Sequence, residues 1–386
     1  MEQLKEWATP RQAEIIDAVI ECGSQSAAAE SLGIGKRTVE RGLQRVRNKA
    51  AKQGYSPEHN MTHTAPDTHI VKGASTLYGD DGEVKLQWVK TDLKKEALAE
   101  TLQAVADDLC TSLPSYKPNT NKPDSTSDAL TAYVIGDGHV GMSVRNEHNL
   151  GQGDWDLSTA ETTTIDAIYR LIDLSGGTEV GMLVDVGDFM HINDSSNLTQ
   201  SGNVLSVDGD LKDIVRATVR IYRQAIDMML DQHTQVVMMM VRGNHNSDAA
   251  LIINTMLEVV YEHEPRVTIL SNRHKFMQFE YGCNFFGAHH GDKMKIEQAY
   301  QFFTRTFAES WGRTKHRHTF MGHIHHHQAK EVGGMLFETY NSLVTLDEWH
   351  SHSGYGSKRS MTSIVFDKEH GEVQRHKIGI QQLRAA

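Results

Sequence analysis

Five short motifs that carry histidine, carboxylate and amide side chains follow one another between residues 137 and 325. They read Asp137-Gly138-His139, Gly187-Asp188-Phe189-Met190-His191, Gly243-Asn244-His245-Asn246, His289-His290-Gly291-Asp292 and Gly322-His323-Ile324-His325. The first three follow the apolar runs TAYVIG, VGMLVDVG and QVVMMMVRG, which have the composition of buried strands. Because ligands of open α/β sheets bind beyond the carboxyl ends of the strands, the motifs are expected to share one cleft.

The side chains of these motifs offer imidazole nitrogens together with carboxylate and amide oxygens, which are ligands of divalent transition metals. Residues two apart in extended backbone face the same way, so Asp137 and His139 are predicted to converge on one ion. By the same argument His323 and His325 are predicted to point into one cleft. Together the five motifs hold enough donors for two metal ions.

Length and composition limit the class of protein. The chain of 386 residues is long enough for two or three domains and for a large core. Its three cysteines, Cys22, Cys110 and Cys283, are too sparse for a disulfide framework or a cysteine-rich zinc motif, so a cytoplasmic setting is expected. There is no apolar run of membrane-spanning length and no signal-peptide core at the N-terminus, so no membrane partner is expected.

The N-terminal segment is basic, although the whole chain has a net charge of −11. Residues 10–52 are predicted to form three helices: one that begins at Pro10, a short alanine-rich one, and a basic one after the turn Gly33-Ile34-Gly35. The buried stripe of the first helix is predicted to comprise Ile15, Ile16, Val19 and Ile20.

The run AAAESLGIGKRTVERGLQRV resembles the helix-turn-helix of bacterial and phage DNA-binding proteins. The packing positions of that motif are matched by Ala28, Leu32, Ile34, Val39 and Leu43. The resemblance implies a DNA contact through the basic side chains Lys36, Arg37, Arg41 and Arg45. A solvated basic helix face is the alternative.

The middle of the chain is predicted to contain a polar linker at 53–69, a hairpin at 70–90, an amphipathic helix at 92–112 and a second polar linker up to 128. From Ala132 strands and helices alternate. Strands are predicted at 132–136, 179–186, 234–242, 266–271, 275–281, 283–288, 318–321, 335–340 and 361–367, and helices at 158–174, 207–231, 248–262 and 294–310. The predicted domains are 1–53 (DNA-binding), 54–130 (linker with a possible oligomerisation or lid element) and 131–386 (α/β).

The order Asp-x-His, Gly-Asp, Gly-Asn-His, His-Gly, Gly-His-x-His resembles the calcineurin-like metallophosphoesterase superfamily, which includes Mre11/SbcD nucleases, purple acid phosphatases and cyclic-nucleotide phosphodiesterases. The resemblance covers about residues 130 to 370. The stretches GDFMHINDSSN and DEWHSHSGYGSKR are similar to phage-encoded members. The resemblance implies an αββα sandwich of two mixed sheets, here with a small all-α helix-turn-helix domain at the N-terminus.

The resemblance also implies a ligand set. One ion is expected to bind Asp137, His139, Asp188 and His325, and a second ion Asp188, Asn244, His290 and His323. His290 is preferred to His289 because the family ligand directly precedes glycine. His245 is the expected general acid. Mn²⁺ is the expected metal, and Mg²⁺, Fe, Ni²⁺ and Zn²⁺ are also compatible with these donors.

Two positions depart from the family pattern. Asn246 stands where the family has Asp or Glu, and it is expected to orient His245 or to contact substrate; the nearby Asp248 is a candidate replacement. His191 ends the second motif in place of Asp or Arg, and it is expected to contact a substrate phosphate. The remaining histidines in this part of the chain are predicted to lie on the surface: His316, His318, His326, His327, His350, His352, His370 and His376.

The expected function is that of a metal-dependent phosphodiesterase acting on DNA, a nuclease encoded by a phage or mobile element and active in the host cytoplasm. One alternative is a small-molecule phosphomonoesterase or cyclic-nucleotide phosphodiesterase. Another is a non-enzymatic DNA-binding regulator with a decayed phosphoesterase domain, which only Asn246 favours. By analogy with Mre11-like relatives, a homodimer is expected.

Overall fold

The computed structural model describes residues 1–57, 61, 69–78, 84–93, 127–199, 204–346 and 356–383. The chain divides into two compact units, Met1–Asp107 and Asp108–Ala386. The finer division into three domains, at residues 53 and 130, stays a prediction. Within the described residues, no helix is both long and apolar enough to cross a membrane.

The first unit begins with the three predicted helices, α1 (Pro10–Cys22), α2 (Gln25–Ser31) and α3 (Lys36–Lys52), which follow a 3-10 helix (Glu2–Trp7). Thr9 and Gln12 form a capping box at the start of α1, and Ser24 caps α2 through the backbone N–H of Ala27. The helices share a small core that includes Ile16, Val39, Leu43 and Val46. The prediction for Ile20 is wrong, because 45% of this side chain is exposed.

The predicted hairpin is confirmed. Strands β1 (His69–Tyr78) and β2 (Val84–Leu93) pair antiparallel, with Ala74 opposite Val89. The predicted turn at 79–82 lies outside the described residues. The predicted helix at 92–112 begins wrongly, because Asp92 and Leu93 belong to β2; its remainder and most of the second linker lie outside the described residues.

The second unit contains a six-stranded sheet with the order β13-β12-β3-β4-β5-β6. Four of its strands pair in parallel, β12 runs antiparallel to them beside β3, and β13 pairs antiparallel with β12. The strands are β3 (Ala129–Ile135), β4 (Val180–Asp185), β5 (Gln235–Met240), β6 (Val267–Ile269), β12 (Ser360–Asp367) and β13 (Gly371–Gly379). The helices between the parallel strands are α4 (Leu157–Ser175), α5 (Leu211–Leu230) and α6 (Ser247–Val260).

A second, five-stranded sheet has the order β10-β11-β9-β8-β7 and mixes parallel with antiparallel pairs. Its strands are β7 (Phe276–Tyr281), β8 (Asn284–His289), β9 (His316–Met321), β10 (Gln328–Val332) and β11 (Met335–Thr339). Two helices, α7 (Ile296–Thr306) and α8 (Ala308–Arg313), join β8 to β9, and α9 (Ile380–Leu383) follows β13. Every strand and helix predicted from 132 onward has a counterpart, whereas β10 and β13 were not predicted.

The two sheets face each other across one apolar core. Val134 and Met182 of the first sheet share a cluster with Phe286 and Phe320 of the second. On the outer face of the second sheet, Phe285 packs in another cluster with Phe303 of α7. Helices α4 and α5 pack on the first sheet. The structure is therefore a sandwich of two mixed sheets with helices on the outside, as the resemblance implied, and the helix-turn-helix assignment stays a prediction.

Candidate metal centre

All five motifs lie where a strand ends. Asp137 follows β3, Asp188 follows β4 and Asn244 follows β5, while His290 follows β8 and His323 follows β9. Because both sheets deliver these ends to one edge of the sandwich, the predicted ligands meet. The two carboxylates are buried, and Asp137 has no exposed surface. The candidate ligands thus lie in the turns that directly follow strands, and the two sheets fix where those turns meet.

A first cluster consists of Asp137, His139 and His325. The Nε2 atoms of His139 and His325 lie 3.2 Å apart, and Nε2 of His325 lies 3.5 Å from Oδ1 of Asp137. The candidate ligand atoms of all three residues lie within 4.8 Å of one another. These are the residues predicted for the first ion, apart from Asp188.

A second cluster consists of Asp188, Asn244, His290 and His323. Nε2 of His290 lies 3.0 Å from Oδ2 of Asp188 and 3.0 Å from Oδ1 of Asn244. Candidate ligand atoms of Asp188, His290 and His323 lie within 4.8 Å of one another. Neighbouring ligands on an octahedral ion with bonds of about 2.1 Å are roughly 3.0 Å apart, so both clusters have the spacing of a coordination shell.

The orientation of His290 supports a cation in the second cluster. Its Nδ1 lies 3.0 Å from the carbonyl oxygen of Val186 and can only donate a proton there. Nε2 then faces the acceptor oxygens of Asp188 and Asn244, where a divalent cation can replace the proton that Nε2 otherwise carries. A divalent cation among these three acceptors satisfies all of them, as in metal sites where a ligating histidine donates its other N–H to a carbonyl.

Electrostatics of the clusters also favour a cation. Burial alone would raise the pKa of Asp137, but His325 and His290 outweigh it and lower that pKa to about 2. Burial would lower the pKa of His290, yet the carboxylates of Asp188 and Asp137 raise it to about 10. The buried carboxylates therefore stay ionised, and they stabilise positive charge on whatever lies between them.

The convergence of these side chains depends on left-handed backbone. His139, Asp188, His323 and His325 have φ of 38°, 53°, 74° and 54°. The prediction that Asp137 with His139, and His323 with His325, converge through extended backbone is therefore wrong in its reason, although the side chains do meet. Residues other than glycine rarely adopt such angles, and they cluster at functional sites where the surroundings impose them.

Glycines of the motifs allow close approach. A Cβ on Gly243 would lie 1.9 Å from Oδ1 of Asp188, and one on Gly322 would lie 2.8 Å from Oδ2 of Asp137. A Cβ on Gly187, where φ is 101°, would lie 2.6 Å from Nδ1 of His290. Each of these glycines leaves room for a ligand of the candidate centre.

His245 lies beside the clusters with a fixed ring. Its backbone N–H donates to Oδ1 of Asp188 at 2.7 Å, and its Nδ1 lies 3.0 Å from the carbonyl oxygen of His191. Because Nδ1 donates to that carbonyl, Nε2 is left for the cleft that His245 lines. The ring of His245 also meets the ring of His139 edge to face, with centroids 4.8 Å apart.

Asn246 has buried backbone partners. It is 2% exposed, and its amide, oriented to satisfy its neighbours, accepts from the backbone N–H groups of Phe189 and Met190 at 3.2 Å. It therefore holds the second motif, and a contact of Asn246 with substrate or with His245 stays a prediction. Asp248 does not replace it, because its carboxylate pairs with Arg242.

His191 lines the cleft but also contacts a predicted ligand. Its Nδ1 lies 3.1 Å from Nδ1 of His139, and these two residues form a third possible metal-ligand group with His245. A contact of His191 with substrate stays a prediction. His289 is separated from the centre, because its ring stacks on Phe276 with centroids 5.1 Å apart. Burial lowers the pKa of His289 to about 4.

The surface prediction for the other histidines is wrong at His318. This residue is buried, and its Nε2 lies 2.8 Å from the hydroxyl of Tyr340 and 3.2 Å from Oε2 of Glu338. His350 and His352 lie outside the described residues.

One residue that supports the candidate centre was missed from the sequence: Ser342 donates its hydroxyl to the backbone oxygen of Asp137 at 2.5 Å. A serine 205 residues away from its partner carries no signal in a single sequence.

A cleft of about 680 Å³ opens over the clusters. Five of the candidate ligands line it: His139, Asp188, Asn244, His323 and His325. Apolar side chains of Met142, Leu205, Val344 and Leu346 also line it. The cleft can therefore hold a polar group against the clusters and an apolar group against its walls.

The predicted DNA contacts lie on α3, in the first unit. Lys36, Arg37, Arg41 and Arg45 are exposed, whereas Val39 on the other face of the helix is buried. The basic face is therefore free to meet an anionic partner, and the contact with DNA stays a prediction.

No protein-family model and no curated protein matches the sequence. Solved structures give weak matches. They include the phosphoesterase YfcE from E. coli (13% identity, 65% of this chain and 99% of that chain, TM-score 0.31) and an archaeal phosphodiesterase (10%, 64% and 99%, 0.32). Vacuolar Protein Sorting 29 from Cryptosporidium parvum matches at 12% identity over 66% of this chain and 100% of that chain, with a TM-score of 0.31. With TM-scores this low, the matches support no inference about activity.

Proposed function

We propose that this protein is a metal-dependent phosphodiesterase that acts on DNA, of the calcineurin-like metallophosphoesterase type. The observation that carries the proposal is the pair of neighbouring clusters around the buried Asp188, with donor atoms 3.0–3.2 Å apart. Asp137, His139 and His325 would hold one divalent cation, and Asn244, His290 and His323 another. Asp188 would bind both.

The chain fits these cations chemically, because it combines carboxylate, amide and imidazole donors that suit Mn²⁺. When bound, two divalent cations lower the pKa of a water nucleophile and neutralise charge on the phosphate. The protein's own contribution is to fix the ligands. Val186 sets the tautomer of His290, and the left-handed turns at His139 and Asp188 bring donors from different strands together.

His245 is the group proposed to donate a proton to the leaving oxygen. The carbonyl oxygen of His191 binds its Nδ1, which leaves Nε2 to face the cleft. The hydrogen bond from the His245 backbone to Asp188 keeps the ring in register with the cation ligands. The oxygen that leaves phosphorus would take its proton from Nε2.

DNA is the proposed substrate because the chain carries an exposed basic helix as well as the cleft. Lys36, Arg37, Arg41 and Arg45 of α3 would neutralise phosphates, and this binding should weaken as salt rises. A covalently attached DNA-binding element raises the local concentration of DNA at the cleft without any new contact there.

A second candidate function is hydrolysis of a small nucleotide ester. The observation that favours it is the cleft, whose 680 Å³ and apolar walls suit one nucleoside. A regulator with a decayed phosphoesterase domain is disfavoured by the site, in which every predicted ligand position carries a donor. Asn246, the sole residue that suggested decay, pins the second motif in place.

The test is a parallel assay with Mn²⁺ on a DNA oligomer, bis(p-nitrophenyl) phosphate, a cyclic nucleotide and a nucleoside monophosphate. DNA and the model diester should be cleaved, and Asp188→Ala or His245→Ala should abolish cleavage. His263→Ala is the matched control, because His263 is exposed and outside the cleft. Cleavage that survives chelation and both substitutions would end the proposal, and turnover of the small esters alone would replace DNA as substrate.

A further inference from the structure

We propose that Asp185 and Tyr222 are positioning residues, which hold the turn before Asp188 and thereby set the affinity of the centre for divalent cations. This inference rests on the function proposed above. Neither residue lies in the five motifs, and neither lines the cleft among the residues that the structure describes.

Asp185 is the last residue of β4 and is 0% exposed. Its two carboxylate oxygens have separate partners. Oδ1 accepts from the backbone N–H of Gly187 at 2.8 Å, and Oδ2 accepts from the hydroxyl of Tyr222 at 2.8 Å. Tyr222 lies on α5 and is 1% exposed. The carboxylate thus ties the turn that follows β4 to a helix of the surrounding layer.

The turn held in this way touches the second cluster twice. The carbonyl of Val186 accepts from Nδ1 of His290, and Asp188 places Oδ2 3.0 Å from Nε2 of the same ring. Gly187, between them, has φ of 101°, and Asp188 has φ of 53°. Glycine adopts a positive φ readily, whereas the left-handed φ of Asp188 persists only where surrounding bonds impose it. The bond from Gly187 to Asp185 is one of these.

The contact of Tyr222 with Phe189 strengthens the link. Their ring centroids are 4.6 Å apart, so Tyr222 contacts Asp185 before Asp188 and Phe189 after it. Leu183, which faces the same side of β4 as Asp185, is apolar and fully buried. A buried carboxylate at Asp185 is costly unless it is fully hydrogen-bonded, and its bonds go to the turn that carries the bridging ligand.

The experiment measures the dissociation constant for Mn²⁺ on the full chain, by calorimetry or by the spin resonance signal of free Mn²⁺. Asp185→Leu removes the bond to Gly187 and should weaken binding about tenfold or more, the effect expected for a partner of a metal ligand. Tyr222→Phe should weaken it less, about threefold, because it removes one hydrogen bond to Asp185 and keeps the ring. Asp185→Asn should restore most of the affinity, because an amide can accept from Gly187 and donate to the Tyr222 oxygen.

Kinetics give a second readout. At saturating Mn²⁺, Asp185→Leu should lower kcat for bis(p-nitrophenyl) phosphate while KM stays unchanged, since neither residue faces the cleft.

Thr131→Val is the matched control. Thr131 lies on β3, is buried, and has its hydroxyl 3.1 Å from that of Thr178. It should lower the melting temperature and leave the Mn²⁺ affinity unchanged.

Asp185→Leu with a lower melting temperature but the Mn²⁺ affinity of the wild type would overturn the inference, because that is the result of a purely structural role. If Asp185→Leu does not fold, Tyr222→Phe decides in the same way. A wild-type chain that binds no Mn²⁺ would overturn the proposed function and this inference together. Binding by the wild type and equally by Asp185→Leu would overturn the inference alone.

Discussion

Substituting Gly243 by alanine places one methyl group against the carboxylate proposed to bridge the two cations. The added Cβ would lie 1.9 Å from Oδ1 of Asp188 and 2.4 Å from its backbone nitrogen. Ordinary contact begins at 3.4 Å, so the carboxylate must move by about 1.5 Å. Gly243 does not have a left-handed φ, so alanine adds no backbone strain of its own.

The expected loss of activity follows from that displacement. A misplacement of about 1 Å at a reacting centre costs roughly a hundredfold in rate, or about 2.7 kcal/mol of barrier. Gly243→Ala should therefore lower kcat/KM for bis(p-nitrophenyl) phosphate at least about a hundredfold. Gly322→Ala should lower it less, since its Cβ would lie 2.8 Å from Oδ2 of Asp137.

Gly312→Ala is the matched control. Gly312 lies on α8, and a Cβ there meets no atom within 4 Å. It should keep full activity and gain up to about 1 kcal/mol of stability, because alanine favours helix over glycine. Steady-state kinetics at saturating Mn²⁺, with circular dichroism to check folding, give the comparison. A folded Gly243→Ala enzyme with the rate of the Gly312→Ala enzyme would refute the role of Asp188.

Three further predictions concern the rest of the chain. Burial alone would raise the pKa of Glu338, but hydrogen bonds from His318 and Arg375 hold that pKa well below the usual range. Glu338 takes up a proton near pH 4.3 in the unfolded chain and only at lower pH in the folded chain, so the free energy of unfolding should fall below about pH 4.5. Glu338→Gln should make this fall less steep in thermal melts. Arg41→Ala should weaken DNA binding and reduce by about one the slope of log binding constant against log salt concentration. Arg11→Ala, at an exposed position on α1, should change neither quantity. Equal slopes for the two variants would exclude α3 as the DNA contact. Mn²⁺ at about a hundred times its dissociation constant should add about 2.7 kcal/mol per site to the free energy of unfolding, and chelation should remove the gain in calorimetry.

Much of the second unit could be predicted because the strands that carry the ligands are apolar. The runs before Asp137, Asp188 and Asn244 marked β3, β4 and β5, and the motifs after them marked the edge of the site. Strands β10 and β13 were not predicted, because their sequences QAKEV and GEVQRHKIG are largely polar and exposed. Such sequences do not show the alternation of apolar and polar residues that indicates a strand. Ile20 was placed in the core because one helix alone does not show which side its partners cover.

What could not be predicted is the geometry that joins the motifs. The left-handed φ angles at His139, Asp188, His323 and His325 are imposed by tertiary contacts. Asp and His are enriched at such angles, but a single sequence does not show which of them adopt one. The role of Asn246 was missed for the same reason, since its partners are backbone groups of another strand's loop. The burial of His318 depends on Glu338, a carboxylate 20 residues further along the chain that β11 brings beside it.

The central claim is that two cations bind around Asp188. Anomalous diffraction at the manganese edge, from crystals grown with Mn²⁺, tests it most directly. The account predicts two peaks about 3.5–4 Å apart, one beside His139 and His325 and the other beside His290 and His323, with the carboxylate of Asp188 contacting both. A single peak, or peaks away from Asp188, would contradict it.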